Sequence, residues 1–271
     1  MKKQILIIAL VLLGSISLTK GQTANIEIKE KATPDSWSQI DHSTAFSNPN
    51  GATTDLFSKN GNKDVGIPNN YMGKQDAPEG SNYIGIITYY GDFARKNKDG
   101  QWISHGFDKW SEYAYAALPS VLEAGKEYTV SFKVSLADNA RFAVSGLGAL
   151  LTSSPVTSTS SGRLSQEPQI SSSDVIKDKT GWTEIKGTFT AKGDEKYIAI
   201  GAFDKNYNVE YVGTPYDLGW KRAYYYVSAI HVEGVAPKEV VRQVIPEAPR
   251  APAPKEKPRT WNIVLLPRSP R

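Results

Sequence analysis

Residues 127–136 read Glu-Tyr-Thr-Val-Ser-Phe-Lys-Val-Ser-Leu, and this stretch decides the fold class. Large apolar side chains alternate there with Thr, Ser and Lys. A period of two is that of a β-strand, in which successive side chains point to opposite faces of a sheet. The stretch therefore predicts a strand with one face in a hydrophobic core.

The same kind of pattern recurs on both sides of this strand. Four more segments read as strands, namely 82–90, 183–190, 196–203 and 223–232. Gly125-Lys126 and Gly193-Asp194 are turn signals that precede two of the strands. Strands that follow one another through turns, with no helix alternating between them, predict an antiparallel sandwich. We therefore expect an all-β jelly-roll β-sandwich over residues 22–235.

Some positions need a choice between two interpretations. Residues 110–122 fit a helix that Pro119 interrupts, but their N-terminal half fits a strand equally well, and we favour a strand because a jelly roll needs one there. In 223–232 the alternation predicts that Tyr224, Tyr226, Ser228, Ile230 and Val232 share one face. Trp37 and Trp182 are assigned to the core.

The two ends of the chain differ from this central part. Residues 1–21 combine Lys2-Lys3 with nine apolar residues from Ile5 to Leu13, which is typical of a secretory signal peptide and too short to span a bilayer. Residues 236–260 form a Pro-rich linker of polyproline type, and 261–271 a short tail. Residues 152–173 are rich in Ser and Thr and predict a flexible polar loop, with a ligand-covering flap as the alternative.

Composition excludes several classes of protein. The chain has no Cys, which excludes disulfides, thiolate zinc sites, a Cys nucleophile and lipoprotein acylation. The formal charge is +4, but residues 22–235 hold 21 basic and 25 acidic residues, so the excess of positive charge lies at the two ends. A nucleic-acid binder usually carries a basic face on its folded domain, so no nucleic-acid partner is expected. No later apolar stretch is long enough for a transmembrane helix, so none is expected in the mature chain.

Several motifs follow one another in an order that resembles a known group. They lie at 65–75 (Val-Gly-Ile-Pro-Asn-Asn-Tyr-Met-Gly-Lys-Gln), 80–86, 122–138, 181–182 (Gly-Trp), 193–201 and 224–227 (Tyr-Tyr-Tyr-Val). The series resembles the N-terminal jelly-roll domain of Bacteroidetes-type OmpA-family envelope proteins, which is similar to galactose-binding domains and carbohydrate-binding modules. Such modules usually read Tyr-Tyr-x-x-Asp in the last strand, and Ser228 stands here where that Asp would be.

The resemblance also implies a context. In that group a Pro-rich linker leads to an OmpA-like domain that binds peptidoglycan, and Asn262-Ile263-Val264-Leu265 looks like its opening strand. We therefore expect an exported envelope protein, in the periplasm, at the outer membrane or outside the cell. Its OmpA-like domain is expected to be missing or truncated.

Aromatic and amide side chains supply the candidate ligand site. Rings stack on the apolar faces of sugars, and amides bind the hydroxyls. The candidate residues are Asn69, Asn70, Tyr71, Gln75, Tyr89, Trp102, Trp110 and Trp220. Aromatic residues of a sandwich also fill its core, and Asn69-Asn70 also suits a turn after Pro68.

Other chemistry has weaker support. No cofactor is expected, but the resemblance leaves room for one structural calcium ion, for which Asp35, Asp41 or Asp138 could supply oxygen ligands. The sequence has none of the common catalytic motifs, and His42, His105 and His231 lie far apart along it. A glycosidase needs two carboxylates in a cleft, and Glu112, Glu184 and Glu195 are the candidates that the sequence offers.

The sequence therefore favours an exported, non-catalytic envelope module that binds a glycan or cell-surface polysaccharide. The first alternative is a structural or protein-interaction module of an OmpA-family outer-membrane protein, with other envelope proteins as partners and no sugar ligand. The second alternative is a glycan-cleaving enzyme.

Overall fold

The computed structural model describes residues 23–78, 81–91, 95–96, 102–103, 110–203, 208–213 and 221–235. The predictions for residues 1–21, for 236–271 and for Trp220 therefore lie outside the described residues. All the described residues belong to one compact unit, Met1–Ala236.

The described chain is all-β. Its strands are β1 Thr23–Ile26, β2 Phe46–Ser47, β3 Asp55–Phe57, β4 Asn69–Asn70, β5 Gly73–Lys74, β6 Tyr83–Tyr90, β7 Arg95–Lys96, β8 Trp102–Ile103, β9 Ala114–Ala117, β10 Glu127–Leu136, β11 Phe142–Val144, β12 Leu147–Thr152, β13 Ile170–Ser171, β14 Thr183–Thr190, β15 Tyr197–Ala202, β16 Val209–Tyr211 and β17 Arg222–Gly234. A 3₁₀ turn covers Ile40–His42. No helix among the described residues is long and apolar enough to cross a membrane.

Two antiparallel sheets form the body of the domain. The first sheet has the order β14-β10-β17-β6-β3, and β1 also pairs with β17. The second sheet has the order β13-β12-β15-β9-β2. The main hydrophobic core combines side chains from both sheets, such as Phe132 and Val134 of β10 with Ile198 and Ile200 of β15. The predicted antiparallel β-sandwich is confirmed.

The strand that decided the fold class has the predicted bounds, Glu127–Leu136. Its large apolar side chains, from Tyr128 to Leu136, are all buried. The opposite face is not all solvent-exposed, because Ser135 is also fully buried. A hairpin formed by β4 and β5, here called the cover hairpin (69–74), and the residues after it cover this outer face, where Ser135 donates a hydrogen bond of 2.9 Å to Gln75 Oε1.

The last strand differs from its predicted alternation. A bulge shifts the register of β17 against β10 between Ser131 and Lys133, and Ala229 there has φ of 50°. Because of the extra residue, Tyr226 faces the outer side with Ser135, whereas Val232 faces the core with Val130. The prediction that Tyr224, Tyr226, Ser228, Ile230 and Val232 share one face is therefore wrong beyond Ser228.

Residues 110–122 contribute a strand to the second sheet, and the Ser/Thr-rich segment (152–173) packs against this sheet. Residues 110–122 contain β9 as the favoured strand, with Ala114 and Ala116 in the main core. Tyr113 and Tyr115 point to the other face of the second sheet, where Val156 and Leu164 of the Ser/Thr-rich segment cover them. The Tyr113 hydroxyl accepts a hydrogen bond of 2.9 Å from Leu164 N. This segment therefore packs on the sheet rather than extending away from it as a free loop.

Candidate functional site

A pocket of about 180 Å³ lies on the outer face of the first sheet, at the short edge strand β3. We call it the Trp37 pocket. Its lining consists of Trp37, Ser38, Thr53, Asp55, Tyr71, Ile87 and Arg222. These residues come from the loop before the 3₁₀ turn, from β3 and the residues before it, from the cover hairpin, from β6 and from β17.

Trp37 forms the outer wall of this pocket. The assignment of Trp37 to the core is wrong, because 53% of the residue is exposed. It lies in a loop outside both sheets, so no second layer covers its indole. Its indole contacts the ring of Tyr71, at 5.5 Å between centroids and with the rings at 73°, which is an edge-to-face pair. Trp37 is thus held on one side by Tyr71, while about half of the residue stays open to solvent.

Asp55 lies at the base of the pocket and connects three parts of the chain. Its Oδ1 accepts a hydrogen bond from Ser38 N, beside Trp37. Its Oδ2 accepts one of 2.6 Å from the Tyr71 hydroxyl and another from the Tyr224 hydroxyl. Because the carboxylate is buried, these donors replace the water that it loses on folding. The carboxylate therefore fixes the loop that carries the indole against the sheet.

Arg222 supplies the positive charge at the base of the pocket. It is the first residue of β17 and is 6% exposed. Its guanidinium carbon lies 5.7 Å from the ring centroid of Tyr71 and 5.5 Å from that of Tyr224. Both distances fit cation–π contacts. The charge of Arg222 also stabilises the ionised form of Asp55.

Burial controls the protonation of these groups. Burial raises the pKa of Asp55, while the hydrogen bonds from Tyr224, Tyr71 and Ser38 and the charge of Arg222 oppose the shift. Burial and the charge of Asp55 raise the pKa values of Tyr71 and Tyr224. Both phenols therefore keep their protons at all ordinary pH values and remain donors to Asp55.

A second buried carboxylate, Glu112, lies behind the pocket wall. Its Oε1 accepts hydrogen bonds from Thr53 N and Oγ1, at 3.2 and 2.8 Å, and from Trp110 Nε1 at 3.1 Å. Its Oε2 accepts one of 2.7 Å from Ile87 N. Burial and the negative charge of Asp55 raise the pKa of Glu112 to about 7. Glu112 thus holds two residues of the pocket lining, Thr53 and Ile87, in place.

The two buried carboxylates bind donors from within the protein. Both oxygens of Asp55 and both oxygens of Glu112 accept hydrogen bonds from neighbouring backbone and side-chain groups. Glu195, another candidate acid, accepts hydrogen bonds from the backbone of its own turn at Lys192 and Gly193. Glu184 lies on β14 with its side chain exposed.

The structure places the amides among the candidate residues as follows. Asn70 donates a hydrogen bond of 3.0 Å to the Tyr83 hydroxyl and accepts one of 2.7 Å from Tyr226 and one of 2.9 Å from Met72 N. Gln75 is 4% exposed and bonds to Ser135. Asn69 lies on β4 with its side chain exposed.

The aromatic candidates are spread over several places. Tyr71 lines the Trp37 pocket, and Trp110 lies behind the wall of this pocket on Glu112. Tyr89 packs edge-to-face on Phe142 with 5.2 Å between centroids. Trp102 is the first residue of β8, and its side chain lies outside the described part of the structure, as does all of Trp220. The second tryptophan assigned to the core, Trp182, is partly buried and packs against it.

The polar candidates for metal binding do not converge in the described part of the chain. No group of three or more His, Asp or Glu side chains there could hold a metal ion. Asp35 accepts a hydrogen bond of 2.8 Å from Gln39, and Asp138 accepts one of 2.8 Å from Lys74 N. Asp41 lies in the 3₁₀ turn.

Sequence analysis missed Trp37, Asp55 and Arg222 as site residues. The available signal was weak. Asp55 precedes Leu56-Phe57 in a short apolar strand, and Arg222 precedes the apolar run of β17. A charged residue inside an apolar strand suggests a buried polar site, but only the fold brings these two charges to the same pocket.

No protein-family profile matches the chain, and no curated protein matches it. Among solved structures it is similar to the CBM22-1 xylan-binding domain of Paenibacillus barcinonensis Xyn10C, with a TM-score of 0.37 and 10% identity over 79% of this chain and 93% of that one. The CBM22-1–GH10 modules of Clostridium thermocellum xylanase 10B give a TM-score of 0.38 and 12% identity, over 79% of this chain and 29% of that one. This chain therefore matches less than a third of that protein. The K1 cleaved adhesin domain of Lys-gingipain from Porphyromonas gingivalis W83 gives a TM-score of 0.32 and 11% identity, over 78% of this chain and 98% of that one.

Proposed function

We propose that this domain is a non-catalytic carbohydrate-binding module and that the Trp37 pocket is its ligand site. The observation that carries the proposal is the half-exposed indole of Trp37 beside a buried cluster of polar groups. Ligand sites combine apolar and aromatic walls with a few fixed polar groups, and this pocket has both. A sugar ring matches that combination, because its C–H face packs on an aromatic ring while its hydroxyls form hydrogen bonds at the edge.

The charges of the pocket indicate a neutral ligand. The negative charge of Asp55 and the positive charge of Arg222 balance each other at the base of the pocket. Glu112 adds negative charge behind the pocket wall when it is ionised. An acidic sugar would therefore meet no excess of positive charge. We infer that neutral polysaccharides bind more tightly than those built from uronic acids.

Affinity electrophoresis and calorimetry with the full chain test this function. The probes are neutral xylan, glucan, galactan and mannan, with polygalacturonate as the acidic comparison. Trp37→Ala should weaken the binding of the preferred polysaccharide at least about fivefold, since a stacking aromatic contributes on the order of 1–3 kcal/mol. Trp37→Phe, which keeps a ring, should retain most of the affinity.

Tyr211→Ala is the matched control, because Tyr211 is 51% exposed and is not part of the Trp37 pocket lining. Equal affinity of Trp37→Ala and the wild type for a bound polysaccharide would exclude this pocket as the site. If the wild type bound none of these polysaccharides, carbohydrate binding would be refuted for these probes. The structural or protein-interaction module would then be the better proposal.

We also propose that the protein is exported to the cell envelope, where its ligand is a surface glycan. The pattern of residues 1–21 supports export, and the Pro-rich residues 236–260 support a tether to an OmpA-type anchor. Sequencing the N-terminus of the protein recovered from envelope and culture fractions tests export. We expect it to begin at Gln22, and a chain that retains residues 1–21 in the cytoplasm would contradict the proposal.

A further inference from the structure

A larger cavity, of about 440 Å³, lies away from the Trp37 pocket. It forms where β17 changes its partner. Residues 222–227 of β17 pair with β6, and residues 230–233 pair with β1 on the same edge. Between these two registers, no described strand pairs with Ser228 and Ala229 on that edge. We call the resulting opening the edge groove.

The floor of the edge groove has an unusual backbone. Ala229 has φ of 50°, in the left-handed region that residues other than Gly, Asn and Asp seldom adopt. Ser228 before it is fully buried and donates a hydrogen bond of 3.1 Å to the Asn82 carbonyl. Bulges of this kind occur often beside binding sites because they redirect side chains and end strand pairing.

The walls of the edge groove are polar but carry no net charge. The side chains of Glu27 and Lys29 form an ion pair with each other, so their charges cancel. His231 Nδ1 lies 2.7 Å from Asn25 Oδ1. An amide oxygen only accepts hydrogen bonds, so Nδ1 carries the proton of the neutral ring and Nε2 remains an acceptor. The Ser81 hydroxyl lies 3.2 Å from that of Ser228.

Apolar side chains complete the lining. Ile26, Ile28 and Ile230 are buried beneath it and present C–H surface to the groove. The volume falls in the range of small-ligand sites. The gap in strand pairing covers two residues, or about 7 Å at ~3.4 Å per residue, which is too short to accept a β-strand but accommodates one six-membered ring.

We propose that the edge groove is a second binding site, for a single neutral sugar residue. Asn25, His231 and Ser81 would hold the hydroxyls of that residue, and the isoleucines would pack on its C–H surface. Ser228 lies about 20 Å along β17 from Arg222 at ~3.3 Å per residue, so the groove and the Trp37 pocket are separate sites. The inference shares its ligand class with the proposed function but depends on other residues.

Histidine NMR tests this site directly. The chain has three histidines, so the ring signals are few, and His231→Ala identifies that of His231. The full chain is titrated at pH 8 with the methyl glycosides of xylose, glucose, galactose and mannose. Each glycoside is added to about 100 mM, because the affinity of a protein for a single sugar residue is weak. We expect at least one glycoside to shift the His231 signal with saturation, while that of His42, in the 3₁₀ turn, stays in place. Glycerol and methyl glucuronoside should cause no saturating shift.

Two variants separate this proposal from the proposed function. Asn25→Ala removes the partner of the His231 ring and should weaken the glycoside effect about tenfold, which corresponds to the loss of one or two hydrogen bonds. Trp37→Ala should leave the effect unchanged, although it weakens polysaccharide binding at the other pocket. The proposal is overturned if no glycoside shifts the wild-type His231 signal with saturation, or if Trp37→Ala abolishes the shift.

Discussion

The pH dependence of stability tests the electrostatic account of the Trp37 pocket. Burial and the charge of Asp55 raise the pKa of Glu112 from 4.5 to about 7 in the folded protein. In the unfolded chain the group ionises near 4.5, so between pH 4.5 and 7 the folded state binds more protons. Stability from this group is therefore fully present below pH 4.5 and is lost as the pH rises toward 7.

The size of the effect follows from the shift. About 2.5 pKa units at 1.36 kcal/mol each correspond to roughly 3 kcal/mol of unfolding free energy. Other carboxylates also change the total stability: the lowered pKa values of Asp178 and Glu195 act in the opposite direction, whereas the raised pKa of buried Asp55 acts in the same direction. The informative quantity is therefore the difference between the wild type and Glu112→Gln, which cannot ionise at this position.

Urea unfolding of both proteins, followed by tryptophan fluorescence from pH 4.5 to 8, measures this difference. Glu112→Gln is expected to be less stable near pH 4.5, because the amide nitrogen of Gln cannot accept the hydrogen bond from Ile87 N, whereas both oxygens of the protonated Glu112 can accept; the cost is about 1–3 kcal/mol. The advantage of the wild type should shrink by roughly 3 kcal/mol by pH 7.5. If the two profiles stay parallel over this range, Glu112 does not titrate as described and the reasoning is refuted.

Two further predictions concern packing. In Gly85→Ala the new Cβ would lie 1.9 Å from the Tyr224 hydroxyl and 2.5 Å from a ring carbon of Phe57, so we expect the free energy of chemical unfolding to fall by more than about 2 kcal/mol. An unchanged unfolding midpoint would show that the outer face of the first sheet is loosely packed. In Leu164→Ala the cover over Tyr113 loses a buried side chain, so we expect the free energy of unfolding to fall by about 2–3 kcal/mol and hydrogen exchange in residues 153–169 to become faster. If neither quantity changed, this segment would not pack on the sheet in solution.

Local patterns account for what could be predicted. The strand at Glu127–Leu136 was found with its bounds because its alternation is uninterrupted and its large side chains face a core. The same reasoning found the strand at Thr183–Thr190. It failed in β17, where both faces are buried and a bulge at Ala229 exchanges them. An alternating sequence contains no mark of an extra residue in a strand, because the bulge depends on the register of the neighbouring strand.

The candidate site depends on the tertiary structure even more than the strands do. The sequence by itself determined the all-β class, the antiparallel arrangement and the position of the turns, since these depend on side-chain periodicity and on Gly and Pro. Only the tertiary structure decided that Trp37 is half-exposed, and that Asp55 and Arg222, far apart in the chain, lie at the base of one pocket. Burial and the joining of distant charges depend on which strands become neighbours, and strand order is a property of the whole fold.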